Sequence, residues 1–171
     1  MLDTEPRIAV LSVYVPSRDR TLPKTEKKQA FIASLLAGLE AMPPALRARL
    51  VIGGDYNVIA RSHLPLHPGF LPFEFGLLEA LERHGFVDTH QHCAPGAQAH
   101  SWIGRTGDGY RYDYFHVGSE LGSHIESCGY LHETREQRLT DHAAVTLNLT
   151  VDPMTRLDTA GLLGGEDATL F

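Results

Sequence analysis

Asp55 and Asn57 stand two residues apart in the stretch Gly53-Gly54-Asp55-Tyr56-Asn57. A carboxylate beside an amide can hold a water, a metal ion or a phosphate oxygen. The stretch follows Leu50-Val51-Ile52, an apolar β-branched run that reads as a buried strand. If the chain stays extended, Asp55 and Asn57 share one side of it. The two glycines predict a sharp turn with room for something close to the backbone. That places the acid and amide at the end of a strand, where ligands collect in open α/β sheets. The same five residues, taken alone, also describe an Asx turn that closes a strand.

Other residues with chemical capacity are scattered. Arg111 and Asp113 share one face of an aromatic strand over Tyr110 to Val117, with Tyr112, Tyr114 and His116 on the other. A buried charged pair needs partners. It is either a structural ion pair or an acid that orients a histidine. Thr140-Asp141-His142 precedes an apolar final strand over Ala143 to Val151. His90 and His92 would share one face of an extended segment, but no third metal ligand accompanies them, which favours exposed polar histidines.

The elements that must position these residues follow from periodicity. Arg7 to Val15 reads as a strand covered on both faces, stopped by Pro16 with Tyr14 at its exit. Ser17 to Lys28 is polar and basic, a loop that gives way near Thr25 to a helix with Phe31, Leu35, Leu36 and Leu39 on one face. Beside an active-site edge that basic loop could hold phosphates; elsewhere it is solvated surface. Ile59 to Pro72 reads as loop, and Phe73 to His84 as a second helix stopped by Gly85. Phe86-Val87-Asp88 and Ser101-Trp102-Ile103 are short extended pieces, and Ser123 to Leu131 is a further strand. The glycine-rich stretch Gly104 to Gly109 lacks the context of a dinucleotide site.

Composition bounds the class. At 171 residues, 43% of them hydrophobic, the chain is one domain or part of one, with enough apolar residues for a core. It has no apolar run of membrane-spanning length and no secretory leader, so a soluble cytoplasmic protein is expected, with no membrane partner. Cys93 and Cys128 lack metal-like spacing and read as a reduced, buried pair. The net charge of −6 gives no broad attraction to nucleic acid, although positive charge can still be concentrated locally. Residues 152–171 carry half of that charge and read as a flexible acidic tail, leaving 1–151 as the folded portion.

The order of the motifs is more specific than any one of them. Tyr14-Val15-Pro16, Gly54-Asp55-Tyr56-Asn57, Gly85-Phe86-Val87-Asp88, Ser101-Trp102, Arg111-Tyr112-Asp113-Tyr114 and Asp141-His142 resemble the C-terminal half of the endonuclease/exonuclease/phosphatase superfamily. The likeness is nearest to its exonuclease III and apurinic endonuclease branch. It implies an α/β fold, a four-layer α/β/β/α sandwich of two packed sheets flanked by helices, and a Mg²⁺- or Mn²⁺-dependent phosphodiesterase acting on DNA. By the same resemblance, Asp55 would position or deprotonate the attacking water, and Asn57 would hold that aspartate or a phosphate oxygen. His142 would contact a non-bridging oxygen, with Asp113 accepting its other N–H. Asp141 would ligate the metal, with Asp55 and Asn57 as further ligands, and Tyr14 would donate toward the phosphate. Arg111 and Trp102 would be structural or shape the substrate-binding rim.

The resemblance also implies an N-terminal half that carries an early Asn and a metal-binding Glu. Here the first strand already matches the superfamily's midpoint, and Glu5 does not sit in its motif. The expectation is therefore weak metal affinity, because Mg²⁺ sites use one or two carboxylates completed by substrate phosphate. A further expectation is an apolar sheet face that a second copy or partner chain would cover. Alternatives of other classes are a phosphatase of the same superfamily acting on a non-nucleic-acid phosphoester, and a non-catalytic remnant that binds or assembles. A nucleophilic hydrolase lacks its Gly-x-Ser-x-Gly elbow.

Overall fold

The run Leu50-Val51-Ile52 becomes the middle of the fold. The computed structural model describes residues 2–65, 68–104 and 107–154. Along them lie β1 (Thr4–Glu5), β2 (Ala9–Tyr14), α1 (Leu22–Ala41), α2 (Pro44–Arg47), β3 (Leu50–Asp55) and α3 (Pro72–Arg83). There follow β4 (Val87–Asp88), α4 (Thr89–Cys93), β5 (Trp102–Ile103), β6 (Gly109–Tyr110), β7 (Asp113–Val117) and a 3-10 turn at Ser119–His124. The order closes with β8 (Ile125–Leu131), α5 (Glu133–Glu136), β9 (Ala144–Leu149) and β10 (Asp152–Pro153).

Four strands form one sheet in the order β2-β3-β7-β4. β2 runs parallel to β3, with Tyr14 opposite Asp55, and β7 runs antiparallel to it, with Asp113 opposite Asp55. Three residues with chemical capacity thus end level at one sheet edge. On one face, α1 and α3 cover Val13, Leu50, Ile52 and Tyr114 with Ile32, Leu39, Leu77 and Leu81. The opposite face packs Val51, Val117 and Phe115 against Ile125, Leu147 and Leu149 of the β8–β9 hairpin. The succession of helices, sheet and second sheet supplies the α/β/β part of the expected α/β/β/α order.

Several boundaries differ from the sequence reading. Gly53 and Gly54 do not turn the chain; they lie within β3. Their missing side chains make room for neighbouring strands, since a Cβ at Gly53 would run into the Phe115 ring and one at Gly54 into the Val13 carbonyl. Gly54 also has φ +142°, which L side chains rarely adopt. The aromatic strand is broken: β6 pairs with β5, β7 joins the main sheet, and Arg111 and Tyr112 form the step between them. Residues 89–93 are helical, because the Asp88 carboxylate caps the His90 and Gln91 N–H groups. His90 and His92 therefore do not share a strand face; His90 is buried and His92 exposed.

The strand expected from Ser123 begins only at Ile125, after the 3-10 turn, and α1 begins three residues before Thr25. Both cysteines are free, as expected, but they are not buried: Cys93 is exposed and Cys128 half-buried. Asp152 and Pro153 pair with β1, and the rest of the acidic segment, 155–171, lies outside the described residues. Among the described residues, no helix is long and apolar enough to cross a membrane.

Candidate active site

The chain leaves β3 through Asn57, which lies in the left-handed region at φ 49°. Asn tolerates that conformation better than most residues. There its backbone N–H donates to Asp55 Oδ1 and its side-chain Nδ2 to Asp55 Oδ2, each at 2.8 Å. The Asx turn and the acid–amide pair are therefore one structure. Nδ2 also donates to the Val15 carbonyl at 3.0 Å, tying the pair to the end of β2. Burial raises the Asp55 pKa above the ordinary carboxylate value, and the nearby Asp113 charge adds to the rise against the hydrogen bonds from Asn57.

Across from this pair, His142 Nδ1 lies 2.7 Å from Asp113 Oδ2. The Asp113 contact raises the His142 pKa, outweighing burial, and the charges of Asp55 and Asp141 act in the same direction. Ser101 brings the two partners together. Its Oγ accepts the backbone N–H groups of Tyr112 and Asp113 at 2.9 and 3.1 Å, and its carbonyl accepts that of Ala143 at 2.7 Å. Trp102 bridges to His142 through the backbone, and its Nε1 donates to Asp141 Oδ2 at 3.0 Å. Tyr110 stacks on both Trp102 and Tyr112, with centroids 5.9 and 5.6 Å apart, and Trp102 and Tyr112 meet at a tilt.

These groups meet in one cleft of about 500 Å³. Tyr14, Asp55, Asn57, Trp102, Asp141 and His142 line it, and Asp113 stands behind His142. Arg111 does not line it. Its guanidinium makes a two-pronged bond to Asp88 at 2.8 and 2.6 Å, lies over the Tyr114 ring, and donates through Nε to Tyr130. Tyr130 in turn donates to the Asp113 carbonyl at 2.7 Å. The sequence paired Arg111 with Asp113 on one face. The break in the strand separates them, so that Arg111 is a structural anchor rather than a group at the substrate rim.

Sequence reasoning missed Glu74. It lines the cleft beside Lys28 and Arg18, where its carboxylate binds Lys28 Nζ at 2.6 Å and Arg18 Nη2 at 2.5 Å. Burial would raise the Glu74 pKa, but the bonds from Arg18 and Lys28 outweigh it and hold the carboxyl below its ordinary value. Its position two residues after Pro72 marks only a helix start, where it also accepts the Leu71 N–H. The partners lie 46 and 56 residues away, so no local pattern reveals them. Of the basic loop, Ser17, Arg18 and Arg20 reach the cleft. Arg18 is committed to Glu74, whereas Arg20 is exposed and makes no ion pair among the described residues.

No three His, Cys, Asp or Glu side chains converge as a metal cage among the described residues. The acidic groups on the cleft are Asp55, Asp141 and the twice-paired Glu74. These are oxygen donors of the kind that hard cations accept, without a preformed cage.

The fold is similar to part of the fold of solved exonucleases and AP endonucleases. Similar solved structures include a 3′-5′ exonuclease from Neisseria meningitidis (TM-score 0.71, 24% identity) and an AP endonuclease from Archaeoglobus fulgidus (0.70, 18%). A third is an AP endonuclease from Leishmania major (0.66, 21%). Each likeness covers 82% of this chain but only 60%, 61% and 50% of theirs, respectively, consistent with the C-terminal half of that fold. No protein-family model matches the chain, nor does any curated protein.

Proposed function

We propose that this chain carries the catalytic face of a divalent-metal-dependent phosphodiesterase whose substrate is DNA. The observation that carries this reading is the pairing of Asp55–Asn57 with Asp113–His142 across one cleft. Hydrolysis at phosphorus needs a base at the attacking water and positive charge at the oxygens that become more anionic. Asp55, its carboxylate aimed by Asn57, accepts the proton of that water. Its raised pKa brings it closer to the task than an ordinary carboxylate. His142, oriented through Nδ1 by Asp113, presents Nε2 to a non-bridging phosphate oxygen as imidazolium. Tyr14, 64% exposed at the exit of β2, and Arg20 supply further donors at the rim.

Mg²⁺ or Mn²⁺, when bound, would add charge neutralisation at the phosphate, with Asp141 as its main ligand and Asp55 and Asn57 as further ones. A second copy or partner chain belongs to the same reading, because Val10 of the edge strand β2, level with Val51 on the face turned to the second sheet, is 55% exposed. A phosphatase acting on a small phosphoester is the second reading, favoured by the net charge of −6.

The test offers the chain, with Mg²⁺ or Mn²⁺, a DNA duplex with an abasic site, a duplex with a 3′-phosphate and a small phosphomonoester. Turnover of either DNA that is lost in His142→Ala supports the proposal. Turnover of the monoester alone transfers it to the second reading.

A further inference from the structure

Lys28 is the only lysine buried in the core among the described residues, 1% exposed, yet it reaches the cleft that holds Asp55. Burying an ammonium is costly unless it is paired and hydrogen-bonded. Its Nζ is 2.6 Å from Glu74 Oε1 and also donates at 2.6 Å to the main-chain carbonyl of Asn57. Asn57 holds Asp55 through two bonds, and it does so from a backbone conformation that non-glycine residues seldom occupy. A charge-assisted bond to the carbonyl of that same residue is well placed to hold it there. Glu74 completes the arrangement. It fixes Lys28 from α3 and is itself fixed by Arg18, whose Nη2 also donates to the Gly69 carbonyl at 2.6 Å.

We infer that Lys28 and Glu74 form a positioning device for the Asp55–Asn57 pair: Lys28 clamps the Asn57 carbonyl, and Glu74 holds Lys28 in place. Neither residue needs to touch substrate. The inference rests on the proposed function for its consequence in turnover, but the clamp itself is a matter of local structure.

The experiment compares wild type with Lys28→Met, Lys28→Arg and the double variant Lys28→Met/Glu74→Gln. Lys28→Met leaves Glu74 paired with Arg18, and the double variant removes the Lys28–Glu74 ion pair as a whole, which keeps the test open should Lys28→Met alone fail to fold. Hydrogen exchange is followed at the Asn57 amide, which donates to Asp55, and at Ile52 in the core as control. The expected result is faster exchange at Asn57 in the Met variants with Ile52 unchanged, and partial recovery in Lys28→Arg. On a hydrolysed substrate, kcat falls about 100-fold with KM within threefold, as displacement of a catalytic group predicts. Unchanged Asn57 exchange in a folded Met variant overturns the inference, as does an effect confined to KM. If wild type hydrolyses nothing, the functional proposal fails, and the exchange data alone decide whether the clamp exists.

Discussion

His142 Nδ1 and Asp113 Oδ2 lie 2.7 Å apart, although 29 residues separate them in the chain. The bond fixes the imidazole and favours its charged form, so the His142 pKa is raised; the Asp55 pKa is raised by burial. Turnover should therefore fall on the acid side as Asp55 gains its proton, above the ordinary carboxylate range. It should fall on the alkaline side as His142 loses its proton, above the ordinary histidine range. Asp113→Asn removes the contact that raises His142 and the charge that helps raise Asp55. Both limbs of the kcat/KM profile should then move to lower pH, and an alkaline limb that stays in place would separate Asp113 from this role.

The same pair sets a stability signature. A histidine whose pKa is raised on folding contributes stability that is fully present below its unfolded value. That contribution is lost as pH rises through the higher folded value. The difference in melting temperature between wild type and Asp113→Asn should accordingly shrink from mildly acidic toward alkaline pH. Melts of both proteins across that window give the comparison.

Arg20 is the cleft cation without an ion pair among the described residues, whereas Arg18 and Lys28 are bound to Glu74. Arg20→Ala should raise KM roughly fivefold with little change in kcat, as loss of a charge-assisted contact to substrate phosphate. The effect should diminish with added salt, because the side chain is exposed. Steady-state kinetics at two ionic strengths measure both.

Gly54 sits where a Cβ would meet the Val13 carbonyl, at φ +142°. Gly54→Ala should cost about 2–4 kcal/mol of stability by forcing β2 and β3 apart. Urea unfolding reads it as a lower midpoint, and an unchanged midpoint would mean that the strands can separate freely.

Val10, more than half exposed on edge strand β2, should be covered by association. Light scattering after size exclusion should give a mass above the 18.9 kDa of one chain, returning to that mass in Val10→Lys. A well-folded wild-type monomer would remove the second copy from the account.

Much of this arrangement was legible because it is local. The apolar runs marked β2, β3, α1 and α3, and Asp55 and Asn57 lie two residues apart, so one turn determines their meeting. The order of motifs in the chain brought Asp113 and His142 into one expectation. What escaped depends on long-range partners. The spacing of Arg111 and Asp113 implied a shared face, but Asp88 and Tyr130 take Arg111 while Ser101 breaks the strand by accepting two of its N–H groups. Glu74 went unnoticed because its partners are distant: Lys28 comes from α1 and Arg18 from the loop before it. The role of Gly53 and Gly54 was misread for the same reason: the space they leave is taken by Phe115 and Val13 of adjacent strands.

Hydrolysis of an abasic duplex by this chain, with Mg²⁺ or Mn²⁺ and then with chelator, tests the central claim most directly when Asp55→Ala is run beside wild type. Metal-dependent cleavage should fall about a thousandfold in the variant, which loses both the base and the partner of Asn57. Cleavage that persists undiminished in Asp55→Ala, or a folded wild type that leaves both the abasic duplex and the 3′-phosphate duplex intact with either metal, would contradict that claim.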